Sequence, residues 1–366
     1  MALVALAAVD LGAVADFSAR VFPVLAFVAF MAVVVNAADG VGTFDVLLGK
    51  MRAGLGIRGN FRREAAATWA LIFVASAVST IFFSLDTTAI LLTPIALKFA
   101  ASSGLSPVRA ALTVVWTANL GSMLLPISNL TNLLAVQGEV FSGTGDFVAS
   151  SWRASLVLLA IAAVAPWLVP MGRQERSDEA ALPTWTRPVV AFSLLVAALL
   201  VALLSPLPVW VSAGGAAVIA VALLARWNRA GLSLSLVPWG SLLLTLALTA
   251  TATLAHRLGL LDPVMSLFDA SLPPFAVAAA GAGLANVVNN IPAYLALEPA
   301  MHSGRSLMAL LVGVNAGPII TPWASLATLL WAEQARRQGV DIGWGRFVLC
   351  GLILAPVSIF AATCVL

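Results

Sequence analysis

The chain has 366 residues, of which 61% are hydrophobic and 10% charged, with a mean hydropathy of +1.03. No water-soluble domain of this length is so apolar, and runs of helix-spanning length recur throughout, so the composition specifies an all-α polytopic membrane protein. The net charge of +3 is accounted for by basic loops and indicates no nucleic-acid partner. The two cysteines, Cys350 and Cys364, both fall in the last apolar run, which excludes a disulfide framework and a cysteine-rich metal site.

Residues 1–20 hold a short apolar piece followed by Asp10, Asp16 and Arg20, too short to span. The first predicted span is 21–36 with its flanks. Residues 38–63 carry Lys50, Arg52, Arg58, Arg62 and Arg63 and read as a cytoplasmic amphipathic segment. Residues 65–84 enter the membrane, meet Asp86-Thr87-Thr88, and are followed by the apolar 89–100 with Pro94 inside it. This pattern predicts a re-entrant helical hairpin over 65–101 with its tip near Asp86. Two full crossings, leaving Asp86 on the far surface, are the competing reading. Residues 107–137 form a helix with a polar interruption, and 147–169 return. The polar stretch 172–187 is the strongest shift in composition and is the expected cytoplasmic linker between a first half, 1–171, and a second, 188–366. Spans at 189–204, 208–224 and 239–255 follow, with His256, Arg257, Asp262 and Asp269 in an outer connection. A second hairpin is predicted over 273–303, with its tip at Asn289-Asn290-Ile291-Pro292. A second interrupted helix over 305–333 and a last span over 344–366 complete the chain.

The interrupted helices are related. TANLGSMLLPISNLTNLLAVQ, residues 117–137, falls without a gap on GVNAGPIITPWASLATLLWAE, residues 313–333, at an offset of 196. Asn119 meets Asn315, Gly121 meets Gly317, and Pro126 meets Pro322. A lipid-facing helix has no use for this much polarity, whereas one Gly/Pro-interrupted helix in matching positions of each half points to a transporter's binding site. Placing the linker and the Arg226–Arg229 turn inside leaves only Arg20, Arg153, Arg257 and Arg305 of the 19 Lys/Arg outside. The halves are then inverted and the C-terminus lies outside. By repeat arithmetic the first half has about two helices fewer than the second.

Asp86 is the acid placed at membrane depth, where a carboxylate is costly and marks an ion or proton route. The alternative is that Asp86 caps the second hairpin arm by accepting from the amides of Thr88 and Ala89. Glu298 is either a second proton carrier or a solvated residue at the outer mouth. Ser128, Asn129, Thr131, Asn132, Asn289 and Asn290 are neutral donors and acceptors suited to an uncharged polyhydroxy solute or to Na⁺, and the alternative is interhelical hydrogen bonding. Asn119 and Asn315, seven residues before Pro126 and Pro322, either latch the breaks or reach the site. Tyr294 and Trp323 either line a pocket or anchor at the interface. His256 and His302 lack a third ligand and make a poor metal site. There is no phosphate-binding G-x-x-x-x-G-K-[ST] motif and no catalytic constellation.

At SLDTTAILLTPIAL (84–97), LLPISNLTNLL (124–134), VNNIPAYLALEP (288–299) and GVNAGPIITPWASLATLLW (313–331) the chain resembles the arsenite efflux permease (ArsB-type) family of the ion-transporter superfamily. The resemblance implies two inverted repeats, each with a re-entrant hairpin and a broken helix, meeting at a central site. It implies export of arsenite or antimonite across the cell membrane, without a cofactor, driven by protons or by an associated cytoplasmic ATPase, and allows a homodimer. Carried onto this chain, the site is Asp86, Thr87, Thr88, Ser128, Asn129, Thr131, Asn132, Asn289, Asn290, Thr321, Ser325 and Thr328. A transporter of the same fold that moves another anion, or exchanges sodium for protons, is the alternative.

Overall fold

In a computed structural model, residues 11–46, 61–138, 140–170, 184–203, 205, 207–260 and 272–366 are described, and among them there is helix and no strand. Helix α1 is Leu11–Gly40 and α2 is Phe61–Phe83. The arm α3 runs over 85–103 as Leu85–Thr87, a π turn Thr88–Leu92, and Thr93–Ser103. Next come α4 (Pro107–Leu120), α5 (Leu130–Gln137), α6 (Thr144–Leu168), α7 (Arg187–Leu203), α8 (Val209–Trp227) and α9 (Trp239–Arg257). The chain ends with α10 (Pro274–Val288), α11 (Asn290–Leu297), α12 (Gly304–Ala316), α13 (Leu326–Arg337) and α14 (Trp344–Thr363).

Among the described residues, five helices carry apolar stretches long enough to cross a membrane: Val21–Gly40, Glu64–Phe83, Thr144–Leu168, Val209–Trp227 and Trp344–Thr363. The protein is a multi-pass membrane protein. Helix α1 begins at Leu11, ten residues before the first predicted span, so residues the sequence reading left out of the span continue it. Most of the basic segment 38–63, the linker to residue 183, and Asp262 and Asp269 lie outside the described residues.

Helices α1, α7 and α8 pack on one another as a frame, with α1 against α8 the most extensive pairing. Their outer faces carry exposed Leu194, Val201, Val218 and Ile219, as lipid contact requires. The frame is joined to the first hairpin by an ion pair: Lys98 Nζ lies 2.5 Å from Asp39 Oδ1 and 2.9 Å from Asp45 Oδ2. Gln338, past the end of α13, donates to the other Asp39 oxygen at 2.7 Å.

A helix–turn–helix pair forms in each of the two predicted hairpin regions. Helix α2 turns at Ser84 and α3 packs back on it; α10 turns at Asn289 and α11 packs back on it. Ser84 (φ 116°, ψ 160°) and Asn289 (φ 87°, ψ 155°) are the two non-glycine residues at positive φ among those described. This region is normally left to glycine and costs roughly 1–3 kcal/mol, so strain is stored at the two tips. Each tip residue also starts the next helix, Ser84 Oγ accepting from the Thr87 N–H and Asn289 Oδ1 from the Ile291 N–H. Ser84, two residues before Asp86, is thus both the tip and the cap, and the capping role weighed for Asp86 does not hold. The π turn has a local cause: Pro94 has no N–H to give Ile90, so the ladder widens ahead of it.

Both interrupted helices break as their prolines dictate. Leu125 and Thr321, each before a proline, are extended; Pro126–Ser128 and Pro322–Ala324 are single 3₁₀ turns; Asn129 and Ser325 are extended again and start α5 and α13. The same local conformations thus recur at the offset of 196. The tips are related by 205 instead, because α11 is shorter than α3. Helix α13 runs to Arg337, four residues past the predicted end.

Helices α10 and α12 make another extensive pairing, and their backbones touch. A Cβ at Gly313 would sit 2.1 Å from the Ala278 carbonyl oxygen, and one at Gly317 would sit 2.4 Å from the Ala282 Cβ. This small-residue spacing is how helices approach closely where lipid supplies no hydrophobic drive.

Candidate functional site

The halves interlock at the breaks. Helix α3, which carries Asp86, packs against α13 beyond the second break, and α11 packs against α5 beyond the first. Helix α12 also meets α5, and α13 meets α4, where Trp331 Nε1 donates to the Ala111 carbonyl at 2.8 Å. Each half's hairpin and pre-break helix therefore press on the other half's post-break helix.

Each hairpin is also bonded to its own half's break. In the first half, Ser128 Oγ donates to the Ile81 carbonyl, one turn before the tip, at 2.9 Å. In the second half the matching carbonyl belongs to Asn286, which accepts from Trp323 Nε1 at 2.8 Å and from Thr321 Oγ1 at 3.0 Å. The Asn286 side chain adds more: its Oδ1 accepts from the Thr321 N–H at 2.8 Å, and its Nδ2 donates to the Gly317 carbonyl at 2.9 Å. Asn289 Nδ2 closes the tip onto the Trp323 carbonyl at 2.8 Å. Asn286 is a residue the sequence reading missed. The signal was present, since it lies three residues before Asn289 and so on the same face of α10.

The side-chain cross-links between the two breaks run through the two pre-break asparagines. Asn315 Oδ1 accepts from Asn129 Nδ2 at 2.8 Å and Thr131 Oγ1 at 2.9 Å, and its Nδ2 donates to Asn132 Oδ1 at 2.8 Å and contacts Met123 Sδ at 3.0 Å. Asn132 Nδ2 also holds the freed carbonyls of Ser122 at 2.6 Å and Leu125 at 3.2 Å. Asn119 takes the mirrored position, its Nδ2 reaching Thr328 Oγ1 at 3.4 Å and the Val115 carbonyl at 2.9 Å. Both asparagines are thus latches, and each latches the opposite half.

Of the sequence-predicted residues, Ser128, Asn129, Thr131, Asn132, Asn119, Asn315, Ser325 and Thr328 are buried around the breaks. Thr321 and Asn289 join the second break to its hairpin. Thr87 and Thr88 are spent inside the first hairpin, on Ser84 and Phe83 and on Ser79, Thr80 and Ser84 respectively. Asp86 and Asn290, just past the tips, make no side-chain hydrogen bond; Asp86 is half-buried and Asn290 buried. Glu298 is half-buried and accepts from Tyr294 Oη at 2.8 Å. Tyr294 is fully buried, so it is no interface anchor, while Trp323 is exposed. No Lys or Arg occurs within 117–137 or 313–333, so the breaks offer neutral ligands only.

A family model described as a citrate transporter (CitMHS) matches residues 1–306. An arsenical pump membrane protein of Yersinia enterocolitica is 27% identical over 335 residues, covering 82% of this chain and 77% of that protein. One from Escherichia coli K12 is 28% identical over 342 residues with the same coverage. A putative arsenical pump membrane protein of Bacillus subtilis is 22% identical over 142 residues, 35% of this chain and 32% of that protein.

Proposed function

The chain belongs to the CitMHS citrate-transporter family, and is therefore a membrane transporter rather than an enzyme; from that premise we propose that it exports arsenite or antimonite across the cell membrane in exchange for protons. The observation that carries the choice of solute is the likeness to arsenical pump membrane proteins over 82% of the chain. The chemistry of the breaks supports it. Arsenite is the neutral As(OH)₃ near neutral pH, and hydroxyl and amide groups match its O–H groups. A tricarboxylate would need cationic partners that the breaks do not carry. Cys350 lies in α14 and Cys364 at its C-terminal end, and neither falls within 117–137 or 313–333, so in this reading the break segments themselves supply no thiol for tight As–S bonds.

In this reading the two halves are inverted repeats, 1–171 and 188–366, joined by the cytoplasmic linker 172–187. The frame α1, α7 and α8 stays still while hairpins and breaks carry the solute. Asp86, unbonded beside the first tip, carries the proton, and Glu298 is a second carrier. A homodimer and a cytoplasmic ATPase partner fit the same reading.

The test is uptake of arsenite into everted membrane vesicles with an imposed proton gradient and no ATP. Gradient-dependent accumulation, abolished by an uncoupler and lost in Asp86→Asn, is expected. Accumulation that needs ATP would replace proton exchange by an ATPase drive. Accumulation of citrate but not arsenite would favour the second reading, a carboxylate transporter, which the family's own description supports.

A further inference from the structure

The two breaks share a backbone and differ in how their polar atoms are used. At the first, α5 starts with a side-chain cap, Asn129 Oδ1 accepting from the Thr131 N–H at 3.2 Å. Asn315 then bonds Asn129, Thr131 and Asn132 from across the interface. Little is left there for a solute to bond.

At the second break the matching atoms are idle. Ser325 stands where Asn129 stands, at the start of the twelve-residue α13, yet caps none of its N–H groups. Its Oγ has no hydrogen-bond partner, although the residue is 1% exposed. Asn119 stands where Asn315 stands and is likewise 1% exposed. Its nitrogen reaches Thr328 in the first turn of α13, and its Oδ1 has no partner. A helix start with uncapped N–H groups already favours electron-rich oxygen, and here two buried, unpartnered polar atoms belong to residues that start the helix or bond its first turn. The segment Leu85–Thr87, with Asp86, packs against this same helix.

We propose that the solute is held at one break only: at the start of α13, between the Ser325 hydroxyl, Asn119 Oδ1 and the first-turn N–H groups, while the Asn315 amide fills the first break in the solute's place. The open set offers donors, one acceptor, and a hydroxyl that serves as either. It therefore fits a small neutral polyhydroxy solute, whose O–H groups both give and accept, better than a polyanion, which would face the Asn119 lone pairs. The identity of the solute rests on the function proposed above; its location does not.

Labelling by a small hydrophilic methanethiosulfonate reagent separates the two. In a background lacking Cys350 and Cys364, S325C and N129C place a thiol at matching positions of the two breaks. T328C and T131C repeat the comparison in case either variant fails to reach the membrane. In native membranes under a proton gradient, S325C is expected to label at least tenfold faster than N129C, and arsenite is expected to slow it. Faster labelling at S325C that arsenite does not slow would keep the location and remove arsenite as the solute. Equal rates at the two positions, fast or negligible, or faster labelling of N129C, would overturn the proposal.

Discussion

The two breaks answer one backbone problem in opposite ways. Each must satisfy carbonyls and amides freed where Pro126 or Pro322 stops a helix. The first break does so within the protein: Asn129 caps α5, Asn132 takes the carbonyls of Ser122 and Leu125, and Asn315 seals the cluster. The second secures its outer part through Asn286 and Asn289 of its own hairpin and leaves Ser325 Oγ and Asn119 Oδ1 unbonded. A repeated motif therefore does not imply a repeated role. Side chains at three matched pairs, Asn129/Ser325, Asn132/Thr328 and Asn315/Asn119, decide which break is scaffold and which is open.

The comparison is broken most severely at the contact under the second break. Gly313→Val drives a side chain into the Ala278 carbonyl, 2.1 Å from where its Cβ must lie, in a helix pair with no slack. Little folded protein is expected in detergent extracts by size-exclusion chromatography. The matched residue of the first half is Thr117, and Thr117→Val, which removes a hydroxyl without a partner, is expected to leave the yield unchanged.

The latches come next. Asn315→Ala deprives Asn129, Thr131 and Asn132 of a buried partner, and at about 1–3 kcal/mol for an orphaned buried group, offset by partial rearrangement, a loss of about 2–3 kcal/mol is expected. Asn119→Ala removes one weak cross-link, a bond to the Val115 carbonyl of its own helix and one idle oxygen, so its cost is expected to stay below that of Asn315→Ala, at about 1 kcal/mol. Thermal unfolding of the two variants in the same detergent checks the ordering.

How much of this was legible follows from where the causes lie. The breaks were readable because proline and glycine act locally and the offset of 196 aligns them without a gap. The helix–turn–helix pairs were readable because a polar tip separates two apolar runs in each half. The tip itself was displaced by two residues: Asp86 drew attention as a charge, while Ser84 adopts the turn, and no local rule places serine at φ 116°. Asn286 was missed because, beside one bond to Ala282 in its own helix, five of its bonds reach a segment more than thirty residues away. The asymmetry of the latches was not legible at all. Asn119 and Asn315 share an Asn-x-Gly context, and their difference comes from what the opposite half presents to them.

The smallest expected effect concerns the strain at the tips. Ser84→Gly relieves the backbone but removes the cap on the Thr87 N–H, so the gain and the loss nearly cancel, and a stability change within about 1 kcal/mol is expected. Asn289→Gly loses more, because Asn289 also holds the Trp323 carbonyl. Thermal unfolding of the pair distinguishes a tip that only turns the chain from one that also fastens a break.

The most direct test of the unequal breaks is the concentration dependence of arsenite uptake into everted vesicles for Ser325→Ala and Asn315→Ala beside the unmodified protein. Loss of one hydrogen bond to solute, about 0.5–1.5 kcal/mol, predicts that Ser325→Ala raises the half-saturating concentration roughly threefold to tenfold, and by more than it lowers the maximal rate. Asn315→Ala is predicted to lower the maximal rate while shifting half-saturation less than about twofold. The opposite pattern, with Asn315→Ala weakening apparent affinity and Ser325→Ala leaving it unchanged, would place the solute at the first break and contradict the account.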